Sequence, residues 1–159
     1  MSLKINLRHI EEKDLQLEGQ LAVAELDLEG CDELIHAHHP LSYHLRAQKV
    51  SQGILVQGSL QITLDCECSR CLKSFQFPVT LDPWVTHLAL EGPEKAAIKD
   101  DMADLTPYLR EDILLEFPRH PLCGPDCGGL PDQFKQNKAT VAGSTNDSPA
   151  WSELNKLKF

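Results

Sequence analysis

The sequence predicts an α+β fold, mainly an antiparallel β-sheet with a cysteine-bearing hairpin tip, one packed helix near 106–117 and a short C-terminal helix. Apolar and polar residues alternate over several stretches, the period of strands with one buried face. One stretch switches to helical spacing. Five of the six cysteines fall into two compact turns. At 159 residues the chain has room for about one domain. With 42% hydrophobic and 25% charged residues it resembles an ordinary globular protein, which excludes collagen-like, wholly disordered and membrane-spanning classes. No apolar run approaches the roughly 18 residues that cross a bilayer.

Leu3, Ile5 and Leu7 alternate with Lys4, Asn6 and Arg8 and predict a first strand. The stretch LQLEGQLAVAELDLEG mixes both periods, so its helix or strand identity stays open, and CDELIHAHHP reads as a connection ending at Pro40. Tyr43, Leu45 and Ala47 then alternate with His44, Arg46 and Gln48 before a turn at Ser51-Gln52-Gly53. The clearest strand follows: Ile54, Val56, Leu60, Ile62 and Leu64 share one face, and Gly58 suggests a bulge. Phe75, Phe77, Val79 and Leu81 repeat the pattern, placing the first cysteine group at the tip of a β-hairpin. The polar EGPEKAAIKDDMA is expected to be a loop. Thr106 suits a helix N-cap with Pro107 at the first helical position, and Leu109, Ile113, Leu114 and Phe117 form the apolar stripe. Pro118 should end the helix near Phe117.

These elements define a single α+β domain over residues 1–134. Residues 135–150, without apolar anchors, read as a flexible linker. Residues 151–159 read as a short amphipathic tail helix that docks through Trp151, Leu154 and Leu157, since a helix this short needs a surface to be stable.

Fifteen basic and 24 acidic side chains give a net charge of −9, which argues against a protein whose whole surface grips nucleic acid. The acid is concentrated in residues 1–41 and 91–127, whereas residues 42–90 carry 4 basic and 3 acidic groups. The opening MSLKINLRHIEEKD lacks the apolar stretch of a secretory signal, so the cytoplasm is the expected location.

In a reducing compartment, clustered cysteines point to a metal before a disulfide. Zinc takes four thiolates in a tetrahedron, and a C-x2-C turn aims two sulfurs at one point. Cys68-Ser69-Arg70-Cys71 is such a turn, and Cys123-Gly124-Pro125-Asp126-Cys127 offers a second pair. A structural Zn²⁺ on Cys68, Cys71, Cys123 and Cys127 would make the tip a zinc knuckle tied to the end of the helix. Inert packed thiols and redox cysteines are the competing readings. Cys66, two positions before Cys68, is either a reserve ligand or core. His36, His38, His39 and His44, with Cys31, lack the fixed spacing of a metal motif, and Asp100, Asp101 and Asp104 suit a helix dipole better than a cation.

The motifs Cys-Ser-Arg-Cys-Leu (68–72), Asp-Leu-Thr-Pro-Tyr-Leu-Arg-Glu-Asp-Ile-Leu-Leu-Glu-Phe-Pro (104–118) and Leu-Cys-Gly-Pro-Asp-Cys-Gly-Gly-Leu-Pro (122–131), in this order, resemble the YceD-like family of bacterial large ribosomal RNA subunit accumulation proteins. The resemblance is strongest over residues 42–131. It implies a non-enzymatic factor for synthesis, processing or stability of large-subunit (23S) ribosomal RNA, and matches Cys68 and Cys71 to the first pair and Cys123 and Cys127 to the second. Many members carry a further cysteine where this chain reads Gly-Gly-Leu130-Pro, and others lack some of these cysteines.

The expected partner is large-subunit ribosomal RNA precursor or a basic ribosomal protein, with no membrane and no small-molecule substrate. Arg70 and Lys73 at the tip, with Arg46 and Lys49 on a nearby strand, are candidate contacts to either. No acid, base or nucleophile stands at catalytic spacing, so no enzyme is expected. The alternative is a zinc-stapled protein–protein adaptor unrelated to RNA.

Overall fold

The computed structural model describes residues 2–131, apart from 52 and 94 and the side chain of residue 12. The expected linker 135–150 and tail helix 151–159 lie outside the described residues. In chain order the elements are β1 (Lys4–Asn6), α1 (Leu7–Glu12), β2 (Leu15–Leu21), α2 (Val23–Leu26), β3 (Ile35–His36), β4 (Leu41–Val50), β5 (Gly53–Glu67), β6 (Ser74–Ala89), β7 (Ile98–Lys99), β8 (Met102–Asp104) and α3 (Thr106–Leu115). The fold is α+β and mainly antiparallel sheet.

Five strands make the larger sheet. β5 is its spine: β4 and then β3 pair along one edge, β6 along the whole of the other, and β2 extends the sheet beyond β4. The alternation read from the sequence sets which face is buried. Leu41, Leu45 and Ala47 of β4 and Ile54, Val56, Leu60, Ile62 and Leu64 of β5 all point inward. They meet Leu26 from α2, Leu109 and Ile113 from α3, and Ile5 and Ala103 from the second sheet in one continuous cluster. The opposite face carries Gln16, His44, Arg46, Gln57 and Thr63, and no element among the described residues covers it.

The irregularity expected at Gly58 is present, but the extra residue belongs to the partner strand. Gly58 pairs with Trp84 and Leu60 with Leu81, so Asp82 and Pro83 together oppose Ser59. That insertion switches the inward parity of β6 from odd to even positions. Val79 is buried before it, Trp84 and Leu88 after it. Gly58 is required by close approach: a β-carbon there would overlap the His44 carbonyl of β4.

Other elements differ from the sequence reading. Leu7 does not continue the first strand; the Asn6 side chain accepts a hydrogen bond from the Arg8 amide at 3.0 Å and starts α1 there. The segment 31–40 is not all connection, because Ile35 and His36 pair with Cys66 and Asp65. The expected loop at 91–103 contains a hairpin, β7 and β8, turned by Asp100 and Asp101. Both aspartates have positive φ (54° and 59°), as a two-residue primed turn demands, and Asp tolerates that conformation better than most residues. β8 then pairs with β1, giving a three-stranded sheet of order β1-β8-β7.

Thr106 begins α3 without capping it. Its hydroxyl instead accepts the Leu3 amide at 3.1 Å in the interior, while Asp104 Oδ1 accepts the Thr106 amide at 2.9 Å. The helix stops at Leu115 rather than Phe117, its last turn tightened by bonds from the Glu116 amide to Ile113 and from the Phe117 amide to Leu114. Trp84 Nε1 donates to Asp112 Oδ2 at 2.6 Å and ties α3 to β6.

Candidate metal centre

Two loops far apart in sequence meet at the end of the β5–β6 hairpin. At the tip, the Cys68 amide donates to the Lys73 carbonyl at 2.9 Å and the Leu72 amide to the Cys68 carbonyl at 2.8 Å, with Leu72 at φ 59°. That tight turn brings Cys68 and Cys71 to one side. The loop after α3 docks against it through the Ser69 amide, which donates to the Pro121 carbonyl at 2.8 Å. A second turn, closed by the Cys127 amide on the Gly124 carbonyl at 3.3 Å, places Cys123 and Cys127 opposite the first pair.

The result is a group of four sulfurs, Cys68, Cys71, Cys123 and Cys127, all within 4.8 Å of one another. Cys68 lies 3.6 Å from Cys127, and Cys71 lies 3.6 Å from Cys123, so each contact joins one loop to the other. A tetrahedral thiolate shell with bonds of about 2.3 Å has sulfurs about 3.8 Å apart. The donor set and its spacing fit a tetrahedral metal ion. All six cysteines are free thiols.

The sulfurs differ in how readily they ionise. Burial works against a charge on Cys68, yet the backbone N–H groups of Cys123, Cys71 and Arg70 favour its thiolate and bring its pKa to about 6. Cys123, hydrogen-bonded to the Cys71 and Cys127 sulfurs and partly desolvated, is pushed up to about 12. Metal ligation would require the sulfurs as thiolates, with the cation supplying the compensating charge.

Cys66 is outside this group. It is 1% exposed, belongs to the main core cluster and pairs with Ile35 and Phe75, and burial among apolar neighbours raises its pKa. Of its two sequence readings, core is the one its surroundings match. Cys31 is exposed, its sulfur 3.9 Å from the Asp27 carbonyl.

The four basic residues picked out as contacts do not form one patch. Arg70 and Lys73 are exposed at the tip, beside Arg119 and His120 on the docked loop, which sequence reasoning did not single out. Arg46 lies opposite Gln57, so about ten residues of β5, roughly 30 Å, separate it from the tip. Arg46 is paired with Asp14 and Lys49 with Glu11 at 2.8 Å. The only signal that could have separated them was the register of β4 on β5, which a single sequence does not print.

The histidines also divide. His38 Nδ1 lies 2.9 Å from Asp65 Oδ2 and His39 Nε2 lies 3.4 Å from Asp65 Oδ1, with Gln76 Nε2 donating to Asp65 at 3.3 Å. His36 stacks on His38 with ring centroids 5.9 Å apart, whereas His44 sits away at Glu18. The hydrogen bond from His38, opposed by partial burial and reinforced by Gln76 and His39, holds the Asp65 carboxyl below the usual carboxylate range. Asp101 is engaged by Arg8 and Asp104 by the Thr106 amide. Among the described residues the four-cysteine group is the one cluster with ligand atoms close enough for a metal, and no helix is long and apolar enough to cross a membrane.

These features define a small sheet domain whose hairpin tip and helix end are drawn together by four cysteines. The chain belongs to the YceD family, described as large ribosomal RNA subunit accumulation protein, whose model matches residues 56–158. Uncharacterised proteins of Mycobacterium bovis and Mycobacterium tuberculosis are 30% identical to it over 128 residues, covering 72% of this chain and 60% of theirs. One of Mycobacterium leprae is 27% identical over 128 residues, 74% of this chain and 59% of that protein. The chain thus spans about three-fifths of the curated relatives it matches. No solved structure matches it.

Proposed function

We propose that the protein supports accumulation of large-subunit (23S) ribosomal RNA in the cytoplasm by binding, as a non-enzymatic factor in rRNA processing or ribosome assembly, and that a structural Zn²⁺ staples its hairpin tip. The single observation that carries the zinc reading is the convergence of four sulfurs from two loops at near-tetrahedral spacing. The family description carries the ribosomal reading.

Cys68, Cys71, Cys123 and Cys127 would hold the ion, whose role when bound is a cross-link with a filled thiolate shell. Such a shell leaves no coordination position for an activated water, so the proposed centre organises a surface instead of performing hydrolysis. It fixes the loop bearing Arg119 and His120 beside Arg70 and Lys73, and the exposed cations Arg70, Lys73 and Arg119 suit a phosphate backbone. The net charge of −9 works against strong binding to naked RNA and favours a basic ribosomal protein as the first contact.

The test is a deletion strain examined by sucrose-gradient profiles. Large subunits should fall relative to small ones, and purified protein with Mg²⁺ or Mn²⁺ should leave precursor RNA intact. A normal subunit ratio would remove the ribosomal reading. Defined cleavage, abolished by Asp100→Ala or Asp104→Ala, would make the protein an enzyme.

A further inference from the structure

The uncovered face of the larger sheet is not uniform. Register places Gln16, Arg46, Gln57 and Val85 in one row across β2, β4, β5 and β6. The neighbouring row on the same face runs Glu18, His44 and Ser59, and ends where Asp82 and Pro83 share one position. Between the rows is an open hollow of about 410 Å³ whose floor is backbone at Leu45 and Gly58. Leu45 and Gly58 belong to the inward-facing set, so no side chain rises between the two outward rows there, and the irregularity of β6 at Asp82 and Pro83 lies at the hollow's edge.

The charges in the hollow are unequally matched. Arg46 is paired with Asp14, and His44 Nδ1 lies 3.4 Å from Glu18. Asp82 is exposed and has no hydrogen-bond or ionic partner among the described residues, and the Gln16 and Gln57 amides are likewise unengaged. The hollow therefore offers acceptor oxygens from one carboxylate and two amides beside the apolar Pro83 and Val85, the latter 54% exposed. With the flanking Asp14 and Glu18 counted, three carboxylates stand against the single guanidinium of Arg46, so a phosphate would meet surplus negative charge there. A planar guanidinium, with its fork of donors and apolar stem, finds both kinds of surface.

We infer that this hollow is a docking site for an arginine-bearing segment of a basic protein. It rests on the proposed ribosomal role in supposing a cationic partner, and the net charge of −9 would steer such a partner toward this chain. The site lies at the opposite end of the sheet from the four cysteines, so the protein presents two separate contact surfaces: Arg70, Lys73, Arg119 and His120 at the tip for phosphate, and this hollow for arginine.

Full-length ¹⁵N-labelled protein is titrated with an acetylated Gly/Ser peptide carrying arginines, with its lysine counterpart, and with oligouridylate. The arginine peptide should shift the side-chain amides of Gln16 and Gln57 and the backbone of Val85. Asp82→Asn should weaken its binding about tenfold, the loss of one charge-assisted hydrogen bond, while Glu111→Gln on α3 leaves it unchanged. Gln57→Ala provides a second variant should Asp82→Asn disturb folding. Shifts spread over the acidic surface, with equal losses in Asp82→Asn and Glu111→Gln, would overturn the site; so would oligouridylate shifting the same signals more strongly than the peptide. A deletion strain short of large subunits, with no peptide site on the protein, would refute this inference and leave the ribosomal role standing.

Discussion

Removing the metal from the four-cysteine centre should uncouple two loops that are otherwise joined only at close range. Cys71 and Cys123 are 52 positions apart, so an ion bridging them closes a loop of that length. Loop-closure entropy for such a length is about 4 kcal/mol at room temperature. Part of the closure survives without the ion, because the Ser69 amide still reaches the Pro121 carbonyl at 2.8 Å and α3 stays packed through Leu109 and Ile113. We expect a loss of about 2–4 kcal/mol, which for a domain of this size lowers Tm by about 8–15 °C. Thermal unfolding followed by circular dichroism, before and after chelation and with metal measured on the same samples, reads the effect. Cys127→Ser should reproduce it, and Cys31→Ser, outside the centre, should not. A Tm change below about 2 °C on complete removal of one bound zinc per chain would refute the staple. Less than about a tenth of a zinc per chain in reduced protein purified without chelator would refute the site.

Three further outcomes follow from the sheet and its ties. Asp65→Asn should flatten the acid limb of the stability profile: the native carboxyl has a lowered pKa, so its contribution is full above the ordinary carboxylate value and is lost as pH falls through the native one. With one third of that side chain exposed, the effect should stay below about 1 kcal/mol, read from urea midpoints between pH 7 and pH 2. Trp84→Phe removes the donor to Asp112 and should cost about 1–3 kcal/mol, with loss of the near-ultraviolet signal of the buried indole. Gly58→Ala should cost at least about 2 kcal/mol, since a β-carbon meets the β4 backbone and not a movable side chain; an unchanged denaturation midpoint would show that the strands can separate freely there.

The sequence determined by itself whatever depends on local periodicity and local spacing. The alternation through Ile54, Val56, Leu60, Ile62 and Leu64 fixed which face of β5 is buried, because a one-residue slip would send every apolar side chain to water. The two cysteine turns were likewise legible, since a turn that aims two sulfurs is written in a few adjacent residues. Tertiary structure decided what depends on partners distant in the chain. The Asp100–Asp101 hairpin has strands of two and three residues, too short to show a period, and only β1, about a hundred residues earlier, makes its pairing worthwhile. Thr106 looked like a cap because its neighbours suit one, yet the buried Leu3 amide needed its oxygen more. Arg46 and Lys49 looked adjacent to Arg70 because the strands are consecutive. The register of β4 on the far half of β5 set them about 30 Å apart, and the cost of leaving Leu45 and Ala47 exposed is the physical reason that register holds.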